Sequence, residues 1–499
     1  AYQHQDVPFE KLLQELNPPR DLSRTPYFQV LFNMFNPAWG SPQLGEASMT
    51  PLPDPESVSK FDITLYVMEK EECLDIEWVY CTDLFTSETI QTLLSQYHRL
   101  LREFVAQPEM RILDCRLDQD NACLPDPSTS SPAAVPPLVP AILARSAFLR
   151  PEALAVADTQ NRLTYGELNS YANRLANYLL HHGLEKGDVV AIYAHRNAAL
   201  ITSILGALKA GCAFLILDPA HPTLRLGAYL RLARPKALVH ISEAGPLSQT
   251  LSEVLDHQGC SCRLTYTSLT AGSSDDPLLS WPDSEPDVSY RPEDPASVVF
   301  TSGSTGIPKG VLGKLSGLSQ AHGWYEKTFD MTPTDRHAMM SGLAHDLIQR
   351  DLFTPILFGA AVLIPEAQDI RAPERLIRWM NQQKITVANL TPPMMDLLNQ
   401  AFNAKSHTAP LSELRMVFTV GALLTKESVQ TFLEHAPRVE VVNLYGSTET
   451  QRSVGYFPVP RDLTSCPGSI PLGQGIEGVQ LLVLNKAGQT AAVGELGEI

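Results

Sequence analysis

Short, almost wholly apolar runs recur through most of the chain and predict strands that are buried on both faces. These runs occupy residues 189–193, 213–217, 237–241, 361–364, 385–388, 416–420 and 439–442. Longer stretches between them, among them 166–180 and 198–209, predict helices. Strands that alternate with helices in this way imply a largely parallel, helix-covered sheet. Since there are too many strands for one small sheet, we expect two stacked α/β subdomains.

The first 116 residues carry a different pattern. Alternating polar and apolar positions predict half-buried strands, and an amphipathic helix follows them, at residues 28–34, 62–67, 74–78 and 88–104. The next stretch contains a run rich in proline and serine, which is typical of a linker. We therefore predict one domain at 1–116, a linker at 117–136 and a second domain at 137–499.

Composition indicates a globular protein with more than one domain. Of its 499 residues, 44% are hydrophobic and 19% are charged. The net charge of −17 argues against binding to nucleic acid or to an anionic membrane, because both need clustered lysine and arginine. The eight cysteines lack the spacing of a zinc site, and no apolar run is long enough to span a bilayer. We expect reduced, mostly buried thiols in a cytoplasmic protein.

Candidate chemistry lies in the segment TSGSTGIPKG at residues 301–310. A buried strand precedes it, and open α/β sheets bind ligands at the carboxyl ends of their strands. Glycines let backbone N–H groups approach an anion, hydroxyl side chains donate hydrogen bonds, and a lysine adds positive charge. The spacing is not that of a Walker loop, and a flexible linker would not need the preceding strand. The candidate phosphate-binding residues are Thr301, Ser302, Gly303, Ser304, Thr305, Gly306, Lys309 and Gly310.

This segment resembles the signature of adenylate-forming enzymes, which include acyl-CoA synthetases, luciferases and the adenylation domains of nonribosomal peptide synthetases. Further segments resemble adenylation-domain motifs in the family order: LTYGEL at 163–168, LKAGCAF at 208–214, NLYGSTE at 443–449 and GEL at 494–496. Two positions depart from the usual motifs, because Ile216 and Ser447 stand where proline is commoner. Together the motifs cover the whole region after the linker.

The first part of the chain narrows the resemblance. HQDVPFE at 4–10 and RDLSRTP at 20–26 are similar to the last two motifs of a condensation domain. A condensation domain followed by an adenylation domain resembles an elongation module of a nonribosomal peptide synthetase. The resemblance implies an α/β, adenylate-forming fold with stacked, mostly parallel sheets flanked by helices. Part of an α/β, acyltransferase-like condensation domain would precede that fold.

The resemblance also implies a reaction. An amino-acid carboxylate attacks the α-phosphate of ATP to give aminoacyl-AMP, and the aminoacyl group then passes to a phosphopantetheine thiol on a separate, downstream carrier domain. Two anions must meet, so alignment and charge neutralisation matter more than an acid–base pair. The expected catalytic residues are Lys309, Thr448 at the α-phosphate and Glu449 as the ligand of Mg²⁺. Tyr445 would stack on adenine, and Asn443 and Gly446 complete the expected ATP site.

The segment AHDLIQRDLF at 344–353 corresponds to the fourth adenylation motif. Its Asp346 matches the aspartate that pairs with the substrate α-ammonium group, a pairing that selects amino acids over plain acids. Arg350 stands where tryptophan is usual, and the sequence of this segment resembles that of the α-aminoadipate reductase branch of the family. The resemblance implies a substrate pocket formed by Asp346, Leu347, Arg350, Asn389, Phe418, Val420, Leu444, Arg452 and Ser453.

Arg350 and Arg452 would both stand in this partly apolar pocket. Arginines are costly there unless an anion or a strong acceptor meets them, so we hypothesise a substrate with a side-chain carboxylate, such as aminoadipate. The alternative is that one arginine pairs with Asp351 or another protein carboxylate, which leaves a neutral pocket.

Three interpretations of the whole protein remain. The leading one is a nonribosomal peptide synthetase module, and the alternatives are an aminoadipate-reductase-like adenylating protein and a non-catalytic module that docks a carrier protein. The family's lysine-bearing C-terminal subdomain and the condensation domain's HHxxxDG segment have no counterpart in these 499 residues. We therefore expect the chain by itself to have little or no adenylation or condensation activity.

Overall fold

The computed structural model describes residues 6–18, 24–35, 58–70, 73–115, 117, 125, 137–267, 276–302, 308–319, 321–404, 409–451 and 453–499. The chain forms two units, of which the first comprises Ala1–Leu124 with Leu482–Ile499 and the second comprises Pro125–Leu481. Most of the predicted linker at 117–136 and parts of both condensation-like motifs lie outside the described residues. The domain boundaries therefore stay a prediction.

In its described residues, the first unit contains one small sheet and two α-helices. Its elements are α1 (Phe9–Leu16), β1 (Val30–Phe35), β2 (Ile63–Glu69), β3 (Leu74–Tyr80) and α2 (Ser87–Ala106). Strand β2 is central, parallel to β1 and antiparallel to β3. Helix α2 begins where the Thr86 hydroxyl accepts the Thr89 N–H, and its Ile90 packs on Ile63 and Leu65 of the sheet. The three strands and the helix predicted from the sequence in this region are confirmed.

The second unit alternates strands and helices along its length. Its strands are β4 (Leu154–Ala157), β5 (Arg162–Thr164), β6 (Val189–Tyr193), β7 (Ala213–Leu217), β8 (Ala237–Ile241), β9 (Cys262–Tyr266), β10 (Pro295–Ser302), β11 (Pro308–Lys314), β12 (Arg336–Ala338), β13 (Ala361–Leu363), β14 (Val387–Leu390), β15 (Met416–Thr419), β16 (Glu440–Gly446), β17 (Ser453–Val459) and β18 (Gln474–Gly475). Its helices are α3 (Val139–Leu149), α4 (Tyr165–His181), α5 (Ala198–Lys209), α6 (Thr223–Ala233), α7 (Gln249–His257), α8 (His322–Phe329), α9 (Ile348–Phe358), α10 (Ala367–Ile370), α11 (Pro373–Gln382), α12 (Pro392–Asn403) and α13 (Lys426–His435).

Within its described residues, the second unit has two sheets. One has the strand order β11-β10-β7-β6-β8-β9 and the other β18-β17-β16-β15-β14-β12-β13-β4-β5. Neighbouring strands from β10 to β9 and from β16 to β4 are parallel, and the antiparallel strands β11, β17, β18 and β5 lie at the edges. The expectation of mostly parallel sheets flanked by helices is confirmed.

Side chains on alternate positions of β6 enter two different cores. Val190 and Ile192 belong to a core that also includes residues of α3, α4, α5 and α9 and of both sheets. Ala191 and Tyr193 pack on the opposite face with helices α6 and α7. Burial on both faces explains why this strand is wholly apolar in sequence. A third core joins the outer face of the longer sheet to α11, α12 and α13.

None of the helices in the described ranges is long and apolar enough to cross a membrane.

Candidate active site

The predicted phosphate-binding segment lies in a β-hairpin. Strand β10 ends at Ser302 and β11 begins at Pro308, with Thr301 opposite Lys309 and Phe300 opposite Gly310. The connecting residues Gly303, Ser304, Thr305 and Gly306 lie outside the described residues, and so does the side chain of Ser302. Lys309 and Gly310 are exposed and Thr301 is half-buried.

Aromatic packing holds the base of this hairpin. The Phe300 ring stacks on Tyr229 of α6 with ring centroids 4.2 Å apart. A Cβ at Gly310 would lie 3.1 Å from the Phe300 ring, so glycine leaves room for that ring. The loop therefore starts from a packed strand of the sheet, as the sequence predicted.

The second predicted motif begins in the last residues of β16 and continues into the turn after it. Asn443 is buried, where its Nδ2 donates to the Pro471 carbonyl at 2.9 Å and its Oδ1 lies 3.2 Å from the Thr419 hydroxyl. Its amide thus holds protein segments together. Tyr445 and Gly446 are half-buried at the end of the strand.

A 3₁₀ turn at Thr448–Thr450 presents Glu449. The turn is closed by the Ser447 N–H, which donates to the Thr450 hydroxyl at 3.1 Å. Thr448 is half-buried and Glu449 is exposed, and no hydrogen bond or ion pair within the described part of the chain occupies the Glu449 carboxylate. The described residues also contain no group of three or more His, Cys, Asp or Glu side chains that could hold a metal ion. One available carboxylate fits Mg²⁺, which proteins usually hold through one or two carboxylates together with substrate phosphates.

Asp346 lies in the turn that leads into α9. The Gln349 N–H donates to its carbonyl at 2.9 Å, which fixes the backbone of the turn. Its side chain is half-buried, and its carboxylate has no hydrogen-bond or ion-pair partner among the described residues. This carboxylate is therefore available to a cation.

Asp351 lies in α9, and its carboxylate is hydrogen-bonded to other groups of the protein. It is fully buried, and its carboxylate accepts the N–H groups of Met340 and Ser341, each at 2.7 Å, and the Asn389 amide at 2.9 Å. Burial raises the pKa of this carboxyl, although these hydrogen bonds and the nearby Arg196 oppose the rise. The Asp351–Asn389 hydrogen bond joins α9 to β14, so the amide of Asn389, a predicted pocket residue, has an internal role.

Arg350 has no such partner. Its Nη1 atom is buried without a hydrogen bond, and the described ion pairs do not join Arg350 to Asp351. Burial raises the pKa of Tyr325, and the positive charge of Arg350 nearby opposes that rise. Among the described residues Arg350 and Asp351 form no ion pair. The broader alternative, in which one arginine pairs with another protein carboxylate, stays a prediction. Arg452 lies outside the described residues.

The apolar pocket residues come together in one cluster. Phe418, Val420 and Leu444 are buried in it, at or next to the carboxyl ends of β15 and β16, and half-buried Leu347 packs against them. The Tyr325 ring meets Phe418 edge-on with ring centroids 5.3 Å apart. These side chains form one apolar wall.

A small cleft lies beside this wall, with Arg350 and Ser453 in its lining. The Ser453 hydroxyl, like Arg350 Nη1, is buried and has no hydrogen-bond partner among the residues that the structure describes. Further lining residues that the sequence motifs did not indicate are His322, Tyr325, Gln349, Thr354 and Gln451. Gln349, Thr354 and Gln451 stand within four residues of predicted ones, whereas His322 and Tyr325 come from α8, for which no motif gives a signal.

Comparison with protein families supports the resemblance. The profile of the AMP-binding enzyme family matches residues 143–499, which is more than half of the chain, and that of the condensation domain matches residues 1–122.

Several curated proteins are similar in sequence. The L-2-aminoadipate reductase of Schizosaccharomyces pombe is 41% identical over 67% of this chain and 25% of that protein. The L-2-aminoadipate reductase large subunit of Eremothecium gossypii is 36% identical over 85% of this chain and 32% of that protein. Tyrocidine synthase 3 of Brevibacillus parabrevis is 28% identical over 100% of this chain and 7% of that protein. The chain thus spans no more than 32% of the length of these relatives.

Solved structures agree on the fold. The nonribosomal peptide synthetase FmoA3 in its α-methyl-L-serine-AMP-bound form has a TM-score of 0.75 at 22% identity and covers 98% of this chain and 54% of that one. A four-domain nonribosomal peptide synthetase bound to AMP and glycine also has a TM-score of 0.75, at 21% identity, over 98% of this chain and 36% of that one.

Proposed function

The chain belongs to the AMP-binding enzyme family and carries a condensation-domain segment before its AMP-binding domain, and from that premise we propose that it activates an amino acid with ATP. The amino-acid carboxylate attacks the α-phosphate, the bond from the α-phosphorus to the bridging oxygen breaks, and pyrophosphate leaves. The thiol of a phosphopantetheine-bearing carrier domain then attacks the acyl carbon, the bond from that carbon to the phosphate oxygen breaks, and AMP leaves. We also propose a cytoplasmic location, supported by the free state of the described cysteines.

The observation that carries this proposal is the unpaired Asp346 carboxylate. It lies at the start of α9, a helix whose residues also line the small cleft. A half-buried carboxylate without a protein partner suits an α-ammonium group, because a charge-assisted hydrogen bond offsets the cost of removing both ions from water. Such a pairing places the substrate carboxylate, and not its amine, toward the nucleotide.

Two elements would bind the nucleotide: the β10–β11 hairpin and the segment at the end of β16 with the turn that follows it. The β10–β11 hairpin would hold the β- and γ-phosphates with backbone N–H groups and Lys309, while Thr448 would contact the α-phosphate. Tyr445 would stack on adenine. Glu449 would hold Mg²⁺, which neutralises phosphate charge when bound.

We propose that the substrate carries a second carboxylate on its side chain. The buried, unpaired Nη1 of Arg350 and the unpaired hydroxyl of Ser453 line one cleft and both donate hydrogen bonds. An unpaired buried donor is costly, and a carboxylate that accepts from both groups removes that cost. Two of the relatives are named for L-2-aminoadipate, which has a carboxylate of this kind.

The same relatives favour a second candidate at the level of the whole protein. In an aminoadipate-reductase-like protein the carrier-bound thioester would be reduced, whereas in a peptide synthetase it would be condensed with a second aminoacyl or peptidyl group. The adenylation step is common to both. A non-catalytic docking module is the third candidate, and ATP–pyrophosphate exchange in the complete protein would exclude it.

The test replaces Asp346 in the complete protein and measures amino-acid-dependent ATP–pyrophosphate exchange. Asp346→Asn keeps the size and removes the charge, so we expect the KM for the amino acid to rise about 10- to 100-fold. Glu374→Gln, an exposed carboxylate on α11, is the matched control and should leave exchange unchanged. Wild-type kinetics in Asp346→Asn would contradict the assignment.

A further inference from the structure

Gln451 follows the Glu449 turn and has an unusual backbone. Its φ of 56° lies in the left-handed region, which a residue with a Cβ rarely adopts, and its N–H donates to the Thr448 carbonyl at 3.1 Å. Such a conformation persists only where the surroundings over-determine it. The side-chain contacts of Gln451 supply that constraint.

The Gln451 amide occupies a slot against β11. Its Oε1 accepts the Lys314 N–H at 2.6 Å, and its Nε2 donates to the Lys314 carbonyl at 3.4 Å. Glycines at 313 and 317 make the slot, because a Cβ at either position would overlap the Gln451 amide. The turn that presents Glu449 is therefore bound to β11, the strand that contains Lys309.

The same amide reaches the helix of the amino-acid pocket. Gln451 Nε2 makes a long hydrogen bond of 3.5 Å to the Ser297 hydroxyl oxygen on β10, and Gln349 Nε2 of α9 donates to the same oxygen at 3.2 Å. Ser297 and Gln349 are 1% and 5% exposed, so water does not compete freely for these bonds. Ser297 thus joins two amides that are not hydrogen-bonded to each other.

We propose that the side chains of Gln451, Ser297 and Gln349 form a hydrogen-bonded chain, the positioning relay. This relay fixes the positions of the Glu449 turn, the phosphate-binding hairpin and the amino-acid pocket relative to one another. The inference rests on the proposed adenylation and names residues that act on it without touching the reacting atoms. Gln451 aligns the Mg²⁺-binding carboxylate with the phosphates through β11. Ser297 and Gln349 connect α9 to the same turn through hydrogen bonds, so that the position of the turn depends on that of the helix.

The first test needs no activity. Gln451→Met keeps the volume but removes the acceptor of the Lys314 N–H, so hydrogen exchange at that amide should speed up by about 10-fold in the ligand-free protein. Gln400→Met, an exposed glutamine on α12, should leave it unchanged. An unchanged exchange rate at Lys314 in Gln451→Met would overturn the proposed anchor, whatever the enzyme's activity.

The second test is kinetic, in the complete protein, by ATP–pyrophosphate exchange. Gln451→Met should lower kcat about 10-fold while the KM for the amino acid changes less than about twofold, because alignment and not amino-acid binding is lost. Gly313→Ala pushes the amide out of its slot and should give the same split, while Gly468→Ala, where a Cβ meets nothing, should not.

A double-mutant cycle separates a relay from independent structural roles. Gln349→Met and Gln451→Met should be coupled by about threefold in kcat/KM, and the coupling should vanish in a Ser297→Ala background. If the effects of Gln349→Met and Gln451→Met on kcat/KM are additive while Ser297 is retained, the relay is overturned, even if each single variant is impaired. Absence of exchange in the wild type would instead contradict the proposed function, and the Lys314 measurement would still decide the anchor.

Discussion

At the scale of single residues, the polar side chains of the site fall into two groups. Some already have hydrogen-bond partners within the protein, and others are available to a ligand. Asp351, Asn389 and Asn443 make internal hydrogen bonds. Asp346 and Arg350, which the described contacts leave without ion pairs, are close to Asp351 in sequence. Burial without a partner costs free energy that a substrate can recover, so the unsatisfied groups are the ones that select it.

Motif matching predicted Asp346, Arg350, Asn389 and Asn443 as site residues without separating the two groups. Asn389 matches a pocket position in sequence, yet its amide serves Asp351. Gln451 had no motif signal, because its role depends on the space left by Gly313 and Gly317, which only the fold brings beside it. Hydrogen-bond partners distant in sequence cannot be inferred from local spacing.

Glu449 gives a prediction at this scale. Glu449→Gln keeps the turn but removes the charge that would hold Mg²⁺, so exchange should fall about 100-fold and more Mg²⁺ should be needed for half-maximal rate. ATP–pyrophosphate exchange at varied Mg²⁺ measures both effects. Glu427→Gln, exposed on α13, is the control, and an unaltered Mg²⁺ dependence in Glu449→Gln would remove Glu449 from the metal site.

At the scale of elements, apolar runs located strands best where both faces are buried. The predicted runs 189–193, 213–217 and 237–241 coincide with β6, β7 and β8. The run at 385–388 was displaced, since β14 is Val387–Leu390. Polar Asn389 ends the apolar pattern but is tolerated inside the strand because Asp351 accepts its amide.

An ion pair between buried Asp335 and half-buried Arg415 ties the amino ends of the longer sheet's strands together. The Asp335 carboxylate, next to β12, accepts from Arg415 at 2.6 and 2.9 Å and from the Thr386 hydroxyl at 2.8 Å. Burial alone would raise the pKa of Asp335, but the hydrogen bonds from Arg415, the Thr332 N–H and Thr386 outweigh it and lower the pKa to about 2. The folded state therefore favours the ionised carboxylate.

The lowered pKa predicts a pH dependence of stability. Because the pKa of Asp335 is lower in the folded than in the unfolded chain, its stabilisation is complete above about pH 4 and is lost as the pH falls toward 2. Asp335→Asn should cost about 2 kcal/mol at pH 7 and almost nothing near pH 2. Hydrogen exchange of β12, β14 and β15, compared between variant and wild type at each pH, measures this loss. A difference that does not shrink on acidification would contradict the linkage.

At the scale of the whole molecule, the family assignment and the fold agree with the order of motifs in the sequence. The condensation-domain match at 1–122 precedes the AMP-binding match at 143–499, as the short motifs predicted. Motif order is informative at this scale because each motif has its own place in the order of strands and helices, and that order is a property of the fold. Selectivity for the substrate side chain depends on a few contacts, and the proposed preference for an acidic side chain depends on Arg350.

The most direct test of the account is an amino-acid panel in ATP–pyrophosphate exchange with the complete protein. We expect kcat/KM for aminoadipate to exceed that for a neutral amino acid of similar length by about 100-fold, because the buried Nη1 atom of Arg350 pairs with the side-chain carboxylate. Arg350→Leu should abolish this preference, whereas Arg378→Leu, exposed on α11, should retain it. A wild-type preference for a neutral amino acid over every acidic one would contradict the account.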